Sequence, residues 1–129
     1  MKRLALPILV FASLGIASLF IPGPHGSLFR LYAEFDTVRL TLLVLSFAAA
    51  GVAAALAMRN ARAWHGYVAL GGFALAFVKA RTWTVLQHFS DAPMPVKLHA
   101  VAIVGGVIFT LLATAASPDA AEATSARTP

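Results

Sequence analysis

The sequence predicts an all-α protein: a four-transmembrane-helix antiparallel bundle with both termini cytoplasmic. Three observations carry that prediction. Residues 4–21, 38–58, 64–86 and 96–116 form four apolar stretches, each about 18–23 residues long, enough for a helix to cross the ~30 Å hydrocarbon core of a bilayer. The chain is 60% hydrophobic and only 12% charged, outside the usual range of a soluble domain. The second stretch is apolar all round, broken only by Thr41, Ser46 and Gly51, so it needs lipid or protein on every side.

The first stretch follows Met1, Lys2 and Arg3, a pattern shared by secretory signal peptides. Its apolar run exceeds the 7–15 residues common in those leaders. The nearest cleavage-like triplet, Gly15-Ile16-Ala17, lies inside the run. Retention as a first membrane helix is therefore expected. Pro7 falls early, where a missing amide costs little. Pro22 to Gly26 then ends the helix. Ser27 is placed to cap a short interfacial helix carrying Arg30 and Glu34 towards water, with Asp36 at its end.

Arg59 and Arg62 sit in a short turn that makes the second and third spans antiparallel neighbours, and the turn with Asp91, Pro93 and Pro95 pairs the third and fourth. Residues 1–116 are thus expected to form the membrane domain, and 117–129 a polar, disordered tail. Basic residues set the orientation. With both ends inside, Lys2, Arg3, Arg59, Arg62 and Arg127 face the cytoplasm, and Arg30, Arg39 and Lys97 lie outside with Lys79 and Arg81 near that surface. The paired Arg59 and Arg62 in a very short loop set the choice. Trp64 and Tyr67 then mark the inner interface and Trp83 the outer one. A bacterial inner membrane is the expected location.

Helices in lipid associate through close packing of small residues. Ser46, Ala50 and Ala54 form such a row, as do Gly72, Ala76 and Ala80, and Ala102, Gly106, Thr110 and Thr114. These rows predict a compact bundle and also suit a homo-oligomer or other membrane subunits.

Lys79 and Arg81 are the most informative polar residues, about 22–26 Å along the third span. They are two residues apart, so about 200° of helical rotation separates them. One is expected to snorkel to headgroups and the other, Arg81, to point into the bundle on a stripe with Phe77, Thr84 and His88. Asp36, Arg39, Leu43, Ser46, Ala50 and Ala53 make a second stripe, and His99, Ile103, Gly106 and Thr110 a third. Asp36 and Arg39 are i,i+3 neighbours that can pair. The outer level therefore gathers Asp36, Arg39, Arg81, His88 and His99, with Glu34 and Asp91 in adjoining loops. Two readings compete: an ion-pair network that pins helix ends, or a small polar pocket for an anionic or quinone-like headgroup. Arginine suits the second because its fork donates in pairs to carboxylate or phosphate.

His88 and His99 are expected at similar depth on adjacent helices, where two axial ligands to a haem would stand. Both lie at hairpin ends, where interfacial histidines are ordinary, so no cofactor is expected. His65 and His25 have no partner that suggests a metal. The chain has no cysteine, which excludes thiol chemistry and disulfides. No H-E-x-x-H, phosphate-binding glycine loop or nucleophile–base pattern is present, so an enzyme is not expected. The net charge of +5 is scattered between spans, which argues for anionic lipid contact and against nucleic acid. Four short spans also leave little room for the alternating access of a transporter.

The landmarks in order are a Pro-Gly end to the first span, then Glu34, Asp36 and Arg39 entering the second. Gly71, Gly72 and Arg81 follow in the third, and Asp91, Pro93 and Pro95 before the fourth. In these the chain resembles the small DoxX-like four-helix membrane proteins, particularly a group of about 120–130 residues with no assigned function. The glycine that follows the arginine in that group is missing here, and the spacing from the acid to Arg39 is looser. The resemblance implies a four-helix bundle. Some DoxX-type proteins are linked to thiosulfate–quinone chemistry, which makes a redox-associated subunit binding quinone or haem the alternative to a non-catalytic accessory subunit or ligand binder.

Overall fold

A computed structural model describes residues 2–23 and 26–115, and all of its regular elements are helical. His25 and the tail at 117–129 lie outside the described residues. Six α-helices follow a 3-10 turn at Lys2–Leu4: α1 Ala5–Ser18, α2 Leu28–Phe35, α3 Thr37–Asn60, α4 Ala63–Lys79, α5 Thr82–Gln87 and α6 Met94–Ala115. A second 3-10 turn, Phe89–Asp91, separates α5 from α6.

Local chemistry explains the boundaries. After Ser18 the backbone tightens to i→i+3 bonds, Leu19 N–H to Ile16 and Phe20 N–H to Ala17, and Pro22 forbids further helix. Gly23 and Gly26 then exchange two 3.1 Å backbone hydrogen bonds, with Gly26 at φ 90°, a conformation that only glycine adopts freely. Ser27 Oγ accepts from Arg30 N–H and caps α2. Asp36 alone divides α2 from α3, and its carboxylate caps α3 by accepting from Arg39 N–H at 3.1 Å. Pro95 stands in the first turn of α6, where no amide is required.

Four helices form a ring. α1 packs on α3 and α6, and α4 packs on the same two; α2 lies on α3 and α5 on α6. Leu19, Leu28 and Leu40 cluster with Val96, so α1 ends where α3 and α6 begin. At the far end, an added Cβ on Gly66 would stand 3.2 Å from Thr114. Ring neighbours therefore run antiparallel.

The ring closes on small residues. A Cβ on Gly72 would lie 2.6 Å from the Ser46 carbonyl oxygen, so bare backbone is what lets α4 approach α3. Gly15 and Gly106 leave space for the rings of Phe47 and Phe73, which meet edge to face at 6.1 Å in the core. The small-residue stripe of α3, Leu43, Ser46, Ala50 and Ala53, is buried, and so is His99, Ile103, Gly106 and Thr110 on α6. The outward faces are also apolar: Leu6, Val10, Leu45, Val52, Val101, Ile108, Leu111 and Leu112 are all exposed.

Two expected spans differ in length from the sequence reading. α3 and α6 are long and apolar enough to cross a membrane. α1 has only 14 helical residues, because the chain tightens and turns from Leu19 onward. The third apolar stretch is not one helix. α4 stops at Lys79, Arg81 takes a left-handed conformation (φ 51°, ψ 45°) and α5 starts afresh at Thr82. Apolar composition had no means of reporting that break.

Candidate functional site

The break at Arg81 decides which polar residues meet. It brings the end of α4 against the start of α3, where Asp36, Val38, Arg39, Leu42, Val78, Lys79 and Arg81 line a cleft of about 200 Å³. Asp36 holds two roles there. One carboxylate oxygen caps α3, and the other pairs with Arg39 Nε at 3.3 Å. The Arg39 guanidinium also lies over the Tyr32 ring, 5.5 Å from its centroid, which ties α2 to the cleft. Three cations and one carboxylate therefore border a small, partly enclosed volume.

Arg81 is exposed rather than directed inwards as expected. The cause is the left-handed residue itself: it resets the helical phase, so Phe77, Arg81, Thr84 and His88 no longer share a stripe. Thr82 is the buried residue of α5, and its Oγ1 has no hydrogen-bond partner. Among described residues Arg81 is the one non-glycine at positive φ. That conformation costs about 1–2 kcal/mol for a residue with a Cβ.

The expected outer cluster is split. Asp36, Arg39 and Arg81 share the cleft. Glu34 is exposed on α2, and His88 and Asp91 are exposed around the Phe89–Asp91 turn. His99 belongs to the core. Its Nδ1 lies 2.8 Å from Ser18 Oγ, which itself donates to the Gly15 carbonyl at 2.7 Å. With the hydroxyl hydrogen so engaged, Nδ1 is the donor and Nε2 the bare acceptor. Nε2 is buried without a partner, and the ring stands edge-on to Phe47 at 5.4 Å. A haem iron would find no open side on His99, and His88 is out on the surface, so the two do not fit a shared haem.

Sequence reasoning passed over a second cleft at the opposite end of α3 and α4. Leu56, Arg59, Asn60, Arg62, Trp64 and His65 line about 410 Å³ there. His65 Nδ1 accepts from Arg62 N–H at 3.1 Å, which fixes Nε2 as the protonated nitrogen. Trp64 and His65 pack at 4.1 Å. Two arginines so close in a short turn were the signal for this site. A third hollow, about 380 Å³ and wholly apolar, runs along α6 between Phe11, Phe89, Val101, Gly105 and Ile108. Among described residues no group of three or more metal-ligating side chains converges.

Comparison with protein-family models, curated proteins and solved structures finds no match to this chain.

Proposed function

We propose that the chain is a non-catalytic integral membrane protein, a DoxX-like bundle that spans a bacterial inner membrane four times with both termini cytoplasmic. In this reading it serves as an accessory subunit that binds a small anionic group in the outer cleft of Asp36, Arg39, Lys79 and Arg81. The observation that carries it is Arg81. Strain of this kind in a non-glycine residue concentrates at functional sites, and here it borders a cleft already rich in cations. A carboxylate or phosphate is the matching chemistry, because guanidinium groups donate in pairs to both.

Membrane placement is supported by the exposed apolar faces of α1, α3 and α6 and by two helices of spanning length. The shorter α1 and α4 would complete their spans through the turns that extend them, with local thinning of the bilayer. Orientation is supported by the paired Arg59 and Arg62 in the very short turn between α3 and α4, at the same end as Arg3.

The test is a native mass spectrum of the full chain extracted gently from its own membrane, beside Arg81→Gln. A small anionic adduct on the wild type, lost in the variant with helix content unchanged, is the expected result. A bare wild-type chain would overturn ligand binding and leave the cleft a matter of helix pairing. The apolar hollow along α6 favours one second reading, a redox-associated subunit that holds a quinone tail there; a quinone mass on the chain that survives Arg81→Gln would select it.

A further inference from the structure

We propose that the cleft between α3 and α4 at Arg59 and Arg62 is a built site for the phosphate of an anionic phospholipid from the cytoplasmic leaflet. The inference rests on the membrane-spanning reading but not on ligand binding at the outer cleft. Both guanidinium groups are exposed, and neither meets a carboxylate among the described residues, whose one ion pair is Asp36–Arg39. Every polar side chain lining this cleft offers donors. Arg59 and Arg62 supply forks, Asn60 an amide, Trp64 an indole N–H, and His65 the Nε2–H left over once Nδ1 has accepted from Arg62. Such a lining is complementary to an oxygen-rich anion.

The apolar parts of the cleft choose a lipid over a free ion. Trp64 is half-exposed, as an indole at a headgroup boundary is. Leu56 also lines the cleft and, with Val52 one turn before it, stays exposed along α3. An acyl chain could lie on that surface directly beneath a phosphate held by Arg59 and Arg62. The cleft, about 410 Å³ and open to the surface, leaves these donors accessible to a headgroup. Bilayer charge alone would attract these arginines, but it would not favour one bound lipid per chain.

The test presents the full-length protein in detergent micelles with equal amounts of phosphatidylglycerol and phosphatidylcholine bearing the same acyl chains, read by native mass spectrometry. The wild type should retain phosphatidylglycerol about tenfold more, as a single adduct. The pair Arg59→Gln with Arg62→Gln should bring the two lipids to parity, with the helical circular dichroism unchanged, while Arg30→Gln at the far end should keep the preference. Equal retention by the wild type, an unchanged preference in the double variant, or loss of preference in Arg30→Gln would overturn the site. Displacement of the lipid by millimolar inorganic phosphate would overturn the lipid as its occupant. If the double variant does not fold, Arg62→Lys decides: it keeps the charge and loses the fork, so a several-fold weaker preference supports the site and an unchanged one refutes it. Alkaline carbonate extraction separates the failures. A chain released from membranes removes the membrane reading itself, whereas a retained chain without lipid preference removes this site alone.

Discussion

The two ends of the α3–α4 pair carry the same kind of residue under opposite conditions. At the Asp36 end, Arg39 is held by a carboxylate and a tyrosine ring, and Arg81 stands in a strained turn. At the Arg59 end, no described carboxylate is near and the backbone is unstrained. Arg39 is therefore committed to a carboxylate at one end, whereas Arg59 and Arg62 meet none among the described residues at the other. What separates them is not the side chain but the supply of partners: the described acids of the chain all fall at 34, 36 and 91. A paired surface cation gains little from a ligand, because it must first give up its partner. One that meets no carboxylate among the described residues does not carry that cost.

The largest expected effect comes from severing both ends at once. Gly72→Val would drive a side chain into the Ser46 carbonyl and part α4 from α3. A loss of about 3 kcal/mol is expected, read as thermal unfolding in detergent, with lipid preference at the Arg59 end lost too. His99→Leu comes next. It removes the hydrogen bond between α6 and α1 and should cost about 1–2 kcal/mol in the same assay. Both clefts should survive it, since His99 lines neither; a parallel loss of lipid preference would show that the ends are not independent.

Arg81→Gly sharpens the comparison in the other direction. Relief of the left-handed strain should stabilise the chain by about 1 kcal/mol, while any anion bound at the Asp36 end is lost and the Arg59 end is unaffected. A destabilised Arg81→Gly would mean that the arginine holds the turn and is not held by it. Asp36→Asn is the smallest in stability, under about 1 kcal/mol, because the amide oxygen still caps α3. It frees Arg39, so the Asp36 end should come to bind anions more tightly and behave more like its counterpart; titration of an anionic probe against both proteins reads this directly.

Several features were legible in the residues. Ser27 as a cap, the pairing of Asp36 with Arg39, and the buried stripes on α3 and α6 all depend on neighbours within one or two turns, and the structure has each of them. Arg81 and His99 were not legible in this way. Arg81 was expected inwards because helical phase was carried through residue 80, and a single left-handed residue cancels that phase. His99 was grouped with surface charges by its position near a hairpin, yet it is drawn into the core by Ser18, 81 positions away in the chain. The first error is a local break in the backbone, and the second concerns where a long-range neighbour lies.

By itself, then, the sequence determined four apolar stretches, the Ser27 cap and the turns between spans, and the pair of arginines in the short turn at Arg59 and Arg62. Hydrophobic length, capping and charge are local properties, readable without knowing what packs where. Tertiary structure alone decided that α4 ends at Lys79, that a histidine is core, and that the charged residues divide into two clefts. Each of these depends on how closely two helices approach, and that distance is set across the ring by Gly72, Gly106 and the phenylalanines they accommodate.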